Sequence, residues 1–295
     1  MNATQKDVMQ NGQGLIAALD QSGGSTPKTL SIYGVEPSDY NGDDEMFAAM
    51  HDMRARIILA DSFTAEKVIA AILFERTMDG QINGKPVPQL LWEDRGVVPF
   101  LKIDKGLEEP SQGVQLLKSM PGLDELLGRA RDAGIFGTKA RSVVHEADAA
   151  GIEAIIAQQI EVGKTVCASG LVPILEPEVN ISSETKAQAE DLLASTLLRH
   201  LDGLSADELV MIKLTIPEKP GLYNAVADHP NVLRVVALSG GYSTDEAAAR
   251  LKKNTKMIAS FSRALTEGLK VSMSDDAFNA TLAGNIDKIF EASIA

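Results

Sequence analysis

Leu171-Val172-Pro173-Ile174-Leu175-Glu176-Pro177-Glu178 is a short apolar run closed by two carboxylates. Thirty-seven residues beyond Glu176, Leu209-Val210-Met211-Ile212-Lys213-Leu214 repeats the pattern with a lysine in its last turn of polarity. The same interval toward the N-terminus reaches Lys139, at the end of Ile135–Lys139, and then Lys102, just after Val97–Leu101. A constant interval of this size is about the length of one strand-plus-helix unit. Four more runs, Gly14–Leu19, Ala71–Phe74, Leu233–Leu238 and Met257–Phe261, bring the number to eight. Runs with so little polar alternation suit parallel strands covered on both faces. The intervening segments predict helices at Asp43–Leu59, Ala65–Ala71, Gly151–Ser169, Ser183–Leu201 and Glu246–Lys253. Gly151–Ser169 carries Ile152, Ile155, Ile156, Ile160 and Val162 at helical spacing, with Gly170 as its stop. Ser243-Thr244-Asp245-Glu246 resembles a capping box. Repeated strand–helix alternation in 295 residues predicts an α/β protein, a (β/α)8 TIM barrel, rather than an open doubly wound sheet. No Pro/Ser-rich linker divides the chain, so a single catalytic domain over residues 1–295 is expected.

The net charge of −13 disfavours nucleic acid or an anionic membrane as a partner for the surface as a whole. Aromatic residues make up only 4%, which leaves few platforms for stacking bases or sugars. The longest apolar run, Val68 to Phe74, is far shorter than the roughly 20 residues of a spanning helix. One cysteine, Cys167, excludes an internal disulfide and a cysteine-built zinc site. His51, His145, His200 and His229 are widely spaced, so no metal site and no cofactor is expected. These features predict a soluble, cytoplasmic protein whose partner is a small molecule; a homo-oligomer is compatible with the pattern.

Polar residues gather where the runs end: Asp20, Glu75, Lys102, Lys139 with Arg141, Glu176 with Glu178, Lys213, Ser239, and Ser262 with Arg263. Buried charges are costly unless paired, and in a barrel these ends converge on the catalytic face. Lys213 lies between apolar neighbours. Low-dielectric surroundings disfavour an ammonium ion, and a neutral amine can form an imine with a ketone. The plainer reading is a lysine paired with a barrel carboxylate for stability alone. Glu176, on the adjacent strand, is placed either to move the protons that imine formation requires or to be that structural partner. Asp20 either caps the next element or takes a proton from a substrate hydroxyl.

Two glycine pairs follow strands: Ser22-Gly23-Gly24-Ser25 and Ser239-Gly240-Gly241-Tyr242-Ser243. Such loops are often plain turns. They also let backbone N–H groups approach an anion, and the loops after strands 7 and 8 are a frequent phosphate site in barrels. Arg263 is placed there to clamp a phosphate. Lys102, Lys139, Arg141, Lys213 and Arg263 converging in an acidic chain point to an anionic ligand.

In Ala17-Ala18-Leu19-Asp20-Gln21-Ser22-Gly23-Gly24-Ser25, Lys102-Ile103-Asp104-Lys105-Gly106, Phe136-Gly137-Thr138-Lys139-Ala140-Arg141, Pro173-Ile174-Leu175-Glu176-Pro177-Glu178, Lys213-Leu214, Leu238-Ser239-Gly240-Gly241 and Phe261-Ser262-Arg263-Ala264-Leu265, the chain resembles the class I, Schiff-base fructose-1,6-bisphosphate aldolases. The likeness is to their shorter bacterial form and covers nearly the whole chain. It implies a metal-independent, glycolytic carbon–carbon lyase that cleaves fructose 1,6-bisphosphate. It implies that Lys213 forms the imine, that Glu176 is general acid and base, and that Asp20 takes the hydroxyl proton. Lys139 would supply positive charge beside them, and Glu178 would hold the lysines in register. Ser239, Gly240, Ser262 and Arg263 would bind the phosphate on the ketone side. Ser22, Ser25, Lys102 and Arg141 would serve the other end of the substrate.

The likeness has departures. No tyrosine follows Tyr242, whereas the animal enzymes end in a tyrosine that assists proton exchange. Gln21 and Thr29 stand where the animal family carries charged residues, and Glu75 has no assigned role. Another Schiff-base sugar-phosphate aldolase or transaldolase, and a non-catalytic sugar-phosphate-binding barrel, are the alternative readings. The Ser-Gly-Gly and Glu-Pro-Glu stretches fit the first of these poorly.

Overall fold

The computed structural model describes residues 2–22 and 24–295, and eight parallel strands run in chain order around a barrel. They are β1 (Leu15–Leu19), β2 (Val68–Leu73), β3 (Val98–Lys102), β4 (Gly137–Val144), β5 (Val172–Val179), β6 (Val210–Thr215), β7 (Val232–Leu238) and β8 (Met257–Ala259). The principal helices are α1 (Ala3–Asn11), α2 (Ser25–Tyr33), α3 (Gly42–Leu59), α4 (Leu123–Asp132), α5 (Ala149–Ala168), α6 (Lys186–Leu201), α7 (Thr244–Leu251) and α8 (Asp275–Ser293). Between β6 and β7 the crossover carries only the short turn Asn224–Ala227.

The strands differ from the predicted runs where tertiary pairing overrides local pattern. The predicted helix Ala65–Ala71 does not form; residues 65–67 are a turn and Val68 opens β2. Val68, Ile69 and Ile72 are β-branched and buried, which favours a strand between two covered faces. More consequential, β4 and β5 continue past Lys139 and Glu176 and stay paired to Val144 and Val179. Glu176-Pro177-Glu178 is therefore strand rather than strand end.

Side-chain alternation builds the interior. Ile16, Ile72, Phe100, Ile174, Met211, Val236 and Ile258 form one buried cluster inside the barrel. The intervening residues, such as Leu15, Leu101, Leu175 and Ile212, face the helices in a second, larger cluster. Each such side chain contributes roughly 1.5–3 kcal/mol by leaving water. Phe100 meets Phe136 edge to face, with centroids 5.5 Å apart. A Cβ on Gly137 would fall 2.6 Å from the Phe100 ring and 2.1 Å from Val172 O, so only glycine fits there. Beneath this layer α1 inserts Met9 into the interior cluster. The Arg234 guanidinium, on β7, fastens α1 by donating to Met9 O, Gln10 O and Gly12 O.

β1 and β8 end the hydrogen-bonded path and contact one another across a seam. Side chains join them. Ser293 Oγ accepts from Ala259 N at 2.8 Å and donates to Gly14 O at 2.6 Å. Nearer the C-terminal mouth, Gln21 Nε2 donates to Ser262 Oγ at 2.7 Å.

Candidate active site

The period-two register that points Ile174 inward also points Glu176 and Glu178 inward, at successively higher levels. Phe100 is followed in the same way by Lys102, Gly137 by Lys139 and Arg141, Met211 by Lys213, and Ile258 by Ser260. Ladder partners set their heights. Lys102 pairs with Lys139, and Leu175 with Ile212, which brings Glu176 level with Lys213. Between them Lys139 pairs with Ile174, so the Lys139-to-Glu176 step slips by two residues. The uniform 37-residue interval thus matches the register on two of three steps, and the slip reflects the stagger that closes a barrel.

These levels assemble a buried ionic cluster. Lys213 Nζ lies 3.0 Å from Glu176 Oε1. Lys139 Nζ lies 3.0 Å from Glu176 Oε2 and 2.7 Å from Asp20 Oδ2. The contact at Glu176 Oε2 has poor hydrogen-bond alignment, which leaves that oxygen with unused acceptor capacity. Lys139, Glu176 and Lys213 are each no more than 4% exposed. Burial pushes the Asp20 carboxyl upward, but Lys139, with Lys213 and Lys102, outweighs it and holds Asp20 well below the usual carboxylate range. Glu176 is likewise held down, burial being overcome by Lys139 and Lys213. Burial depresses Lys139, yet Asp20 and Glu176 together raise it far above its ordinary value. The two carboxylates and Lys139 are therefore ionised throughout the neutral range.

All thirteen side chains and backbone positions singled out from the sequence line one cavity of about 810 Å³. Asp20, Lys139, Glu176 and Lys213 form its floor. Lys102 donates to Asp104 Oδ1 at 2.6 Å and Asp104 O at 2.9 Å. Arg141 Nη1 meets Glu178 Oε2 at 3.0 Å. Glu178 is thus paired with an arginine, in place of the lysines the resemblance implied. The physical reason is its extra step along β5, which lifts it past the level of Lys139 and Lys213. Ser25 Oγ donates to Ser22 O and accepts from Ser22 N, so it braces its own loop. Of the first glycine pair, Gly23 lies outside the described residues. Ser239 and Gly240 follow β7, and Ser262 and Arg263 open the short helix Ser262–Thr266. A Cβ on Gly241 would come 3.4 Å from Arg263 Nη2, which places the guanidinium against this loop.

The lining holds seven basic side chains and five acidic ones, a local positive excess in a chain of net charge −13. Among the described residues, no group of three or more His, Cys, Asp or Glu side chains is arranged to hold a metal ion. No helix among them is long and apolar enough to cross a membrane.

Sequence reasoning missed Asp104, Arg54 and Ser260. Asp104 follows Lys102 by two residues, and that alternation was a usable signal. Arg54 gave none, because it sits on α3, outside any strand end. Its side chain is buried and donates from Nη2 to Gln21 O at 2.5 Å and from Nη1 to Thr77 Oγ1 at 2.8 Å. Burial pushes the Arg54 guanidinium down to about 10, opposed by the charge of Asp20. Ser260 Oγ is buried in the cavity wall without a hydrogen-bond partner among the described residues.

Fold and floor together define a (β/α)8 barrel whose cavity floor sets a buried lysine amine 3.0 Å from a carboxylate. Comparison with known proteins narrows this class. The family model for class I fructose-bisphosphate aldolases matches residues 1–216. A class 1 fructose-bisphosphate aldolase from Synechocystis sp. is 53% identical over 293 residues, covering 99% of this chain and 98% of its own. The chain belongs to the class I fructose-bisphosphate aldolase family. In three dimensions it resembles a fructose-bisphosphate aldolase from Plasmodium falciparum, with a TM-score of 0.79 at 20% identity over 99% of this chain and 93% of that one. A more distant protein from Corynebacterium glutamicum shares the fold, with a TM-score of 0.55 at 11% identity over 98% and 92% of the two chains.

Proposed function

We propose that the chain reversibly cleaves fructose 1,6-bisphosphate to glycerone phosphate and glyceraldehyde 3-phosphate, in the cytoplasm, through an imine on Lys213. The observation that carries this reading is the 3.0 Å contact between buried Lys213 Nζ and Glu176 Oε1, with Asp20 on the far side of Lys139 in the same cavity. The membership of the family and the positive excess of the lining support it.

In this mechanism the Lys213 amine adds to the ketone carbon. Glu176 removes a proton from nitrogen and returns one to the carbinolamine oxygen, which leaves as water. The resulting protonated imine draws in the electron pair of the adjacent carbon–carbon bond. Asp20 accepts the proton of the neighbouring hydroxyl as that bond breaks, so an aldehyde departs and an enamine remains. Lys139 stays charged and offsets the two carboxylates while the proton moves. A proton then returns to the enamine carbon, and hydrolysis of the imine frees Lys213. Ser239, Gly240, Ser262 and Arg263 hold the ketone-side phosphate. Ser22, Ser25, Lys102 and Arg141 face the other end, where the Lys102–Asp104 and Arg141–Glu178 pairs fix the position of their charges.

Borohydride reduction in the presence of fructose 1,6-bisphosphate tests this directly. The expected result is a covalent adduct on the peptide containing Lys213, formed equally well in EDTA. Absence of an adduct at Lys213, or its loss on chelation, would overturn the mechanism.

A further inference from the structure

Gln21 lies in the cavity wall at the seam between β1 and β8, and its amide has one possible orientation. Nε2 donates to Ala18 O at 3.1 Å, a group that only accepts. Oε1 lies 3.4 Å from Arg54 Nη2, a group that only donates. The second Nε2 hydrogen therefore goes to Ser262 Oγ, at 2.7 Å. Arg54 is itself buried and also binds Gln21 O, so the backbone and the side chain of residue 21 are held by the same guanidinium.

A hydroxyl has one proton to give. Because Ser262 Oγ accepts from Gln21, its own proton is free to be donated elsewhere, and Ser262 borders the cavity beside Arg263. We propose that Gln21 is a positioning residue for anion binding: its amide commits the Ser262 hydroxyl to donate into the cavity, so that a phosphate oxygen meets a proton there and not a lone pair. This rests on the reading of Ser262 and Arg263 as the ketone-side phosphate site. A carboxylate at position 21 would reverse the polarity. It would accept the Ser262 proton, turn the serine lone pairs toward the ligand, and add a negative charge close to it.

Inorganic phosphate, used as a competitor, provides the test. We expect Gln21→Met to raise the phosphate Ki and the substrate KM by roughly three- to tenfold, the net size of one ordinary hydrogen bond, with the effect falling on KM rather than kcat. Ser262→Ala should do the same. The double variant should bind phosphate no worse than Ser262→Ala alone, because Gln21 acts through that hydroxyl. The isosteric Gln21→Glu, which keeps the shape of the site if Gln21→Met fails to fold, should weaken phosphate at least as much. The proposal falls if Ser262→Ala raises the phosphate Ki while Gln21→Met leaves it at the wild-type value, or if the two losses multiply in full. If phosphate does not compete with the wild-type enzyme, or if Ser262→Ala leaves its Ki unchanged, the phosphate-site reading falls and the role of Gln21 falls with it.

Discussion

Glu176 and Lys213 face one another on adjacent strands, with Oε1 and Nζ 3.0 Å apart and both groups all but sealed from solvent. Their proximity follows from the β5–β6 register, in which the preceding rung is Leu175 opposite Ile212. The carboxylate is shared between two ammonium groups, with Lys139 Nζ 3.0 Å from its second oxygen.

Replacement of that carboxylate should slow chemistry without removing the nucleophile. For Glu176→Gln we expect kcat to fall by about 10²- to 10⁴-fold, the usual contribution of a general acid–base group. Lys213 should still be trapped by borohydride, at a much reduced rate. Lys213→Met should abolish trapping. Rapid-quench trapping compares the three proteins, and a full-rate adduct in Glu176→Gln would remove Glu176 from the mechanism.

Lys139 should govern stability in a pH-dependent manner. Asp20 and Glu176 have folded pKa values below their ordinary ones, so each contributes stability at neutral pH that is lost as pH falls through the lowered value. Lys139 is raised, so its contribution is present below its ordinary pKa and is lost only as pH rises through the raised value. All three contributions coexist near pH 7. Lys139→Met leaves two buried carboxylates with less positive charge and should cost about 3–5 kcal/mol there. The cost should shrink toward pH 4.5, as the carboxyls, released upward, take up protons. Urea titrations at the two pH values check this; a gap between variant and wild type that does not change with pH would contradict it.

Gly240 combines a left-handed backbone, with φ at +59°, and a Cβ direction that ends 2.7 Å from Ile181 Cγ2. Gly240→Ala should therefore displace the loop after β7. The left-handed conformation alone costs about 1–2 kcal/mol for a residue with a Cβ. We expect KM for the bisphosphate to rise on the order of tenfold, equivalent to about 1.4 kcal/mol of binding. Borohydride trapping at saturating substrate should persist. Steady-state kinetics with a thermal melt decide the matter, and an unchanged KM would mean that the loop does not touch the ligand.

Ser293→Ala should open the seam. Its hydroxyl serves Ala259 N and Gly14 O in a buried setting, and each group left unsatisfied costs about 1–3 kcal/mol. The expected loss is about 2–4 kcal/mol in chemical denaturation, with faster amide exchange concentrated in β1 and β8. Uniform exchange across all eight strands would show that the bond is not local to the closure.

The eight strands and the convergence of their polar residues were legible because burial on both faces leaves a strong apolar signature. Lys213 stood out as a charge inside such a run. What the chain did not disclose was register. The two-residue slip between Lys139 and Glu176 depends on the stagger of the whole barrel, a property of all eight strands together. The same slip and the longer β5 carry Glu178 to Arg141, which no local spacing announces. Arg54 escaped notice for a similar reason. Its role comes from tertiary contacts that carry its guanidinium to Gln21 and Thr77, and an arginine in a helix has no distinguishing neighbours along the chain. Gln21 was visible only as a departure from a family pattern; its hydrogen bond to Ser262 spans 241 residues.

The bridge made by Ser293 also bears on how the protein is manufactured. Its partner Gly14 lies 279 positions earlier, so β1 emerges from the ribosome while the residue that will close the circle has yet to be translated. Throughout elongation one margin of the growing sheet lacks its final neighbour, and such a margin invites pairing with other nascent chains. The interval between the synthesis of β1 and the arrival of Ser293 is thus the period in which that margin stands open to mispairing.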